Sequence, residues 1–132
     1  MKYIVDTSVW SMALRRVGHQ ETQGVRKLTI LLKEGERIFL PGVILQEILQ
    51  GVRHSAQFKK IRESLSYFPF LDATYDDFIF AAELFNSCRA KGIKATTIDF
   101  LIASLAIRND CLLLTSDKDF IYIAKHSKLK LL

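Results

Sequence analysis

The most constraining feature of this chain is a short run of apolar residues, Tyr3-Ile4-Val5, that ends in a carboxylate and two hydroxyls, Asp6-Thr7-Ser8. A second run of the same kind lies near the far end, where Cys111-Leu112-Leu113-Leu114 leads into Thr115-Ser116-Asp117-Lys118-Asp119. Short runs that are apolar at successive positions suit strands covered on both faces. The segments between them carry helical spacing, and strands alternating with helices argue for a mostly parallel sheet flanked by helices, an α/β fold. In such sheets ligands bind at the carboxyl ends of the strands. Both polar endings fall there. The simpler reading of Asp6-Thr7-Ser8 is helix capping, because these residue types offer side-chain oxygens to otherwise unpaired amide hydrogens.

The pattern predicts a strand over Lys2–Asp6 and a helix from about Val9 to Arg16. A polar loop through Gly18, His19 and Gln20 follows. The next helix is expected over Glu21–Glu34, with Val25, Leu28, Leu31 and Leu32 on its apolar side and Gly35 at its end. Arg37–Leu40 reads as a strand, Pro41 as a residue of the first helical turn, and the helix so opened as reaching Gln50. A helix over Ser55–Tyr67 and a minor strand at Pro69-Phe70-Leu71 come next. Thr74-Tyr75-Asp76-Asp77 resembles a capping box for a long helix closed by Gly92, whose buried stripe would be Phe78, Ala81, Ala82 and Phe85. Thr97 is expected to cap the following helix, in which Ile98, Leu101, Ile102, Leu105 and Ala106 recur at helical steps. A short helix near Phe120–Ala124 and a strand at Lys128–Leu131 complete the reading.

At 132 residues, 49% of them hydrophobic, the chain fits a single domain over 1–132 with a core large enough to need neither disulfides nor a structural metal. Cys88 and Cys111 sit in apolar segments far apart, which favours buried free thiols, and His19, His54 and His126 show no zinc-ligand spacing. No stretch has the length of a membrane span and the opening residues lack the apolar region of a signal peptide, so a cytoplasmic protein is expected. The formal net charge of +5 leans toward a polyanionic partner. Its cations come in short groups, Arg15-Arg16, Arg26-Lys27, Lys59-Lys60-Ile61-Arg62 and Arg89–Lys94, as on a folded surface.

Four acids stand out against this background. Asp6 and Asp117 follow strands. Asp99 lies in the first turn of its helix, where the helix dipole alone favours a carboxylate by about 0.3–1 kcal/mol. Glu47 falls between Val43 and Gly51, at the edge of an apolar face made by Ile44, Leu45, Ile48, Leu49 and Val52, where it could reach into a cleft or serve as an ordinary boundary residue. Clustered carboxylates repel, and a hard divalent cation relieves them. Oxygen ligands without cysteine or histidine point to Mg²⁺ or Mn²⁺, and such a site suits attack of water on a phosphodiester.

These residues resemble a known family, the PIN-domain ribonucleases, and among them the toxins of VapBC-type toxin–antitoxin pairs. The resemblance rests on Ile4-Val5-Asp6-Thr7-Ser8, the helix of Glu47, Ile98-Asp99-Phe100-Leu101-Ile102-Ala103 and Leu114-Thr115-Ser116-Asp117-Lys118-Asp119-Phe120, which look like the family's four acidic blocks in order. It covers nearly the whole chain. It implies a catalytic set of Asp6, Glu47, Asp99 and Asp117, with Asp6, Asp99 and Asp117 as ligands of Mg²⁺ or Mn²⁺ and Glu47 holding or deprotonating the attacking water. Asp119 is a rival of Asp117 for the fourth position. Thr7 and Thr115 would supply supporting hydrogen bonds. The implied partners are an RNA substrate, a cognate antitoxin protein and a second copy of the chain in a homodimer.

Three other readings start from the same residues. A phosphatase of the haloacid dehalogenase type also uses a strand-end aspartate, but it calls for a second aspartate two residues on, where this chain has Ser8. A non-catalytic basic RNA-binding or adaptor module would use the acids only as caps and would bind RNA with or without metal. A housekeeping PIN nuclease would keep the chemistry without a toxin–antitoxin pair.

Overall fold

In the computed structural model, which describes residues 1–14 and 21–132, four short strands make one parallel sheet. They are β1 (Lys2–Val5), β2 (Arg37–Pro41), β3 (Phe70–Leu71) and β4 (Leu112–Leu114), in the spatial order β3-β2-β1-β4. Ile4 at the centre pairs with Phe39 on one side and Leu113 on the other. Ile4, Val5 and Leu113 are fully shielded from solvent, as their continuous apolar runs require of strands covered on both faces. Among the described residues the covering helices are α1 (Thr7–Leu14), α2 (Gln23–Lys33), α3 (Gly42–Gln50), α4 (Ser55–Leu65), α5 (Tyr75–Ala90), α6 (Thr97–Arg108) and α7 (Asp119–Lys125). From β1 the chain steps through β2 to β3 on one side, and β4 returns on the other, so the direction of winding switches between β1 and β4. Open parallel sheets have their crevice at such a switch.

Gly35 and Gly92 follow α2 and α5 with φ of +67° and +77°. Both helices therefore end where the sequence predicts, because a left-handed residue is needed there and glycine pays no Cβ penalty. Arg15, Arg16 and the Gly18–Gln20 loop lie outside the described residues. Pro41 is the N-cap of α3 and the last residue of β2, one place earlier than expected. Helix α4 stops at Leu65, short of Tyr67. The strand expected at Lys128–Leu131 reduces to a single parallel bridge, Leu131 to Leu113, with hydrogen bonds from Leu113 N to Lys130 O and from Leu132 N to Leu113 O.

Three side-chain expectations are corrected. The buried stripe of α2 is Gly24, Leu28 and Leu31, while Leu32 is exposed. Gly24 replaces an apolar side chain because α2 approaches the segment after β4 too closely for one: a Cβ there would stand 2.9 Å from Ser116 Oγ and 3.1 Å from Val9 Cγ2. The cap of α6 is Thr96, not Thr97. The buried residues of α5 are Asp77, Leu84 and Cys88, whereas Phe78 and Ala82 are exposed and Ala81 and Phe85 only half-buried. Apolar periodicity cannot see this face because its first member is a charged residue made acceptable by Arg108, whose Nε donates to Asp77 Oδ1 at 2.7 Å. The displaced apolar stripe instead lines a shallow groove of about 310 Å³ against Thr97, Phe100 and Leu101 of α6. Cys88 and Cys111 are buried free thiols, as expected.

Candidate metal centre

The site forms at the switch between β1 and β4. The ladder continues one step past β1, where Asp6 N donates to Leu114 O at 2.8 Å. The backbone then turns into α1, with Asp6 O accepting from Val9 N and Trp10 N. Asp6 thus ends a strand and opens a helix at once, and its side chain is left 6% exposed beneath the end of the sheet. Burial raises the Asp6 pKa, and hydrogen bonds from the hydroxyls of Ser8 and Thr115 and the amides of Thr7 and Ser8 only partly offset it. A carboxylate so placed favours a neighbouring cation.

Two hydroxyls tie this carboxylate to the segment after β4. Ser8 Oγ donates to Asp6 Oδ2 at 2.8 Å and accepts from Ser116 N at 3.1 Å. Thr115 Oγ1 donates to the same oxygen at 2.9 Å and accepts from Asp117 N at 3.0 Å. Each hydroxyl oxygen receives an amide hydrogen and gives its own hydrogen to Asp6, because an ionised carboxylate only accepts. Asp117 Oδ1 in turn accepts from Asp119 N at 2.9 Å. On the other side, Thr7 Oγ1 donates to Glu47 Oε1 at 2.8 Å, joining α1 to α3 across forty residues of sequence.

Asp99 comes from α6. Its Oδ2 accepts from Thr96 N at 3.0 Å while its own amide donates to Thr96 Oγ1 at 3.1 Å, a complete capping box. Asp99, Asp117 and Asp119 each offer a carboxylate oxygen within 4.8 Å of the others, and all three are half-buried. Burial, then the charges of Asp117 and Asp99, raise the Asp119 pKa. Among the described residues this is the group of acids in mutual reach. Asp6 is linked to it through Thr115, and Glu47 to Asp6 through Thr7. The three acids in mutual reach offer oxygen throughout, and Asp6, a buried and desolvated carboxylate, lies outside that group but one hydroxyl away through Thr115; this chemistry fits a hard divalent cation.

The structure brings both Asp117 and Asp119 beside Asp99. The capping box on Asp99, the Ser8–Ser116 tie and the close approach of Gly24 go beyond the expectations from sequence. Thr96-Thr97-Ile98-Asp99 carries the signal for the first, since a threonine three residues before an acid is the spacing of a box. The other two depend on contacts between distant segments.

A parallel sheet of this order with carboxylates gathered at its switch defines a class, and the family comparison puts the chain in it. The family model described as PIN domain matches residues 3–126. The chain belongs to the PIN-domain family. It is 32% identical over 129 residues to a VapC ribonuclease of Mycobacterium bovis, covering 96% of this chain and 95% of that protein. Its fold is similar to that of VapBC2 from Rickettsia felis, solved bound to a DNA fragment from their promoter, with a TM-score of 0.79 at 22% identity over 100% of this chain and 98% of that one. A toxin–antitoxin complex from Klebsiella pneumoniae is a more distant match, with a TM-score of 0.63 at 20% identity over 89% of each chain.

Proposed function

We propose that this chain, acting as one domain over 1–132, is an endoribonuclease dependent on Mg²⁺ or Mn²⁺ and the toxin of a toxin–antitoxin pair. The observation that carries the reading is the meeting of Asp99, Asp117 and Asp119 in mutual reach, hydrogen-bonded through Thr115 to the buried Asp6. The family and its named ribonuclease relative support RNA as the substrate. Asp6, Asp99 and Asp117 would hold the cation, with Asp119 available beside them. When bound, the cation supplies positive charge opposite the scissile phosphate. Glu47, with Oε1 held by Thr7, keeps Oε2 to orient the attacking water and accept its proton. Water oxygen bonds to phosphorus, the phosphorus–oxygen bond to the departing sugar breaks, and a proton goes to that leaving oxygen.

Cleavage of single-stranded RNA is expected with Mg²⁺ or Mn²⁺ and not in chelator, and Asp6→Asn or Asp99→Asn should reduce it to background without loss of fold by circular dichroism. Cleavage that persists in chelator overturns the metal-dependent reading. Binding of RNA equally with and without metal, and no cleavage in either, would favour the non-catalytic module.

The regulation follows from the same chemistry. A ribonuclease needs restraint, and an antitoxin that offers an Arg or Lys to the carboxylates would take the cation's place. The resemblance to VapBC-type pairs also supports a homodimer carrying such antitoxins. No described helix is long and apolar enough to cross a membrane, and action on RNA in the cytoplasm agrees with that. Expression of the wild-type chain should arrest growth, Asp6→Asn should not, and co-expression of the antitoxin should restore growth. Equal growth of wild-type and Asp6→Asn cells at equal soluble expression would leave a housekeeping nuclease and remove the toxin.

A further inference from the structure

The acid cluster borders α7, whose outer face is not used by the chemistry just described. Asp119 is the first residue of that helix, and Phe120 and Ile123 are its fully buried anchors. Tyr122 stands three residues beyond Asp119, so on a helix surface the two side chains are neighbours, about 5–6 Å apart at Cβ. At 100° per residue Tyr122 is turned about 60° further from the core than Asp119, and it is 53% exposed. Lys125 comes three residues later, with Nζ 5.7 Å from the centre of the Tyr122 ring. An acid at the cluster, an aromatic ring and an ammonium group thus follow one another outward along α7.

Along the chain past Asp119, over residues 120–132, the formal side-chain charge is one-sided. Beyond Asp119 the sequence contains no Asp or Glu, while Lys125, Lys128 and Lys130 are all exposed. None of the three is in an ion pair among the described residues. The acid cluster by itself repels a phosphate backbone, so a nucleic-acid strand needs its binding energy from beside the cluster. An aromatic face stacks any base, and free cations take phosphates.

We propose that the outer face of α7 is a binding subsite for single-stranded RNA, in which Tyr122 stacks on the base of a nucleotide next to the scissile bond and Lys125 pairs with a flanking phosphate. It rests on the ribonuclease reading above. Tyr122 is a specificity and affinity residue and takes no part in bond breaking. Stacking alone tolerates every base, so this subsite sets the grip on an unpaired strand and disfavours a duplex, whose bases are already stacked.

The test uses the full chain with Asp6→Asn, to prevent cleavage, and a short single-stranded RNA containing aminopurine. Tyr122→Ala should weaken binding on the order of tenfold and abolish the quenching of aminopurine fluorescence, whereas Tyr122→Phe keeps both. Lys125→Ala should lower the dependence of log affinity on log salt by about 0.7. Unchanged affinity and quenching in Tyr122→Ala overturns the subsite, as does an effect confined to oligomeric state in light scattering, which would mark α7 as a protein contact. With Asp6 restored, metal-dependent cleavage whose KM for the RNA is unchanged in Tyr122→Ala removes the subsite alone. A wild-type chain that neither binds nor cleaves the RNA removes the ribonuclease reading as well.

Discussion

Asp6 and Asp99 show how one carboxylate carries two duties with different energetic signs. Asp6 is buried and gains hydroxyl donors, yet its charge lacks a cationic partner among the described side chains that bond it. An amide of the same shape keeps an acceptor for Ser8 and Thr115 and sheds the desolvated charge. Chelated Asp6→Asn should therefore melt at the same temperature as wild type or higher. Asp99 differs because Oδ2 closes the box on Thr96 N. Chelated Asp99→Ala should lose about 0.5–1.5 kcal/mol of stability with the bond to Thr96 N, measured by urea unfolding without metal. A gain there would show that relief of repulsion from Asp117 and Asp119 outweighs the cap. The sequence makes these acids legible because Asp-Thr-Ser follows an apolar run and Asp99 falls in the first turn of a periodic helix, whereas the Thr96 box on Asp99, although a local pattern, is missed when Thr97 is taken as the cap. It does not reveal that Ser8 accepts from Ser116 N or that Thr7 holds Glu47, since those bonds join segments 108 and 40 residues apart.

Elements were legible wherever periodicity and caps agree, and least so where a buried charge interrupts the period. Helix α5 is the clearest case. Its capping box on Thr74 and Asp77 was readable, but Asp77 also enters the buried face, meets Arg108 of α6, and rotates the Phe78 side outward. Burial pushes the Asp77 carboxyl up, but hydrogen bonds from the Thr74 amide, the Arg108 guanidinium and the Thr74 hydroxyl, with the charge of Arg108, outweigh it and hold the pKa below 3.8. A depressed folded-state pKa means the unfolded chain binds the proton more readily. The pair's contribution is thus present above the unfolded value near 3.8 and is lost as pH falls through the lower folded value. Arg108→Ala leaves a buried carboxylate without its partner and should cost about 2 kcal/mol at neutral pH. Asp77→Asn should flatten the acid limb of a stability–pH curve. An acid limb unchanged in Asp77→Asn would show that the pair contributes nothing to the junction of α5 and α6.

On the scale of the whole molecule, the sheet brings residues from four distant stretches to one edge, and under the proposed function that convergence would tie metal binding to folding. The parallel order β3-β2-β1-β4 puts Asp6 and the Thr115–Asp119 segment on adjacent strand ends, while Asp99 arrives on α6 and α3 carries Glu47, joined to α1 through Thr7. An unfolded chain holds these carboxylates far apart, so a divalent cation held by them would bind the native state in preference and stabilise it by mass action. At a hundredfold excess over its dissociation constant the gain is about 2.7 kcal/mol. Addition of Mn²⁺ or Mg²⁺ to chelated wild type should accordingly raise the melting temperature in a saturable way. Asp117→Asn should shrink or abolish that rise by removing a member of the cluster. Thr115→Ala should shift its midpoint to roughly 10–100-fold higher metal, because the hydroxyl orients Asp6 and receives the Asp117 amide without itself needing to touch the ion. Ca²⁺, larger and more tolerant in geometry, serves as the comparison ion. A melting temperature that rises equally in wild type and Asp117→Asn would place the stabilising ion elsewhere on the molecule and detach the acid cluster from metal binding.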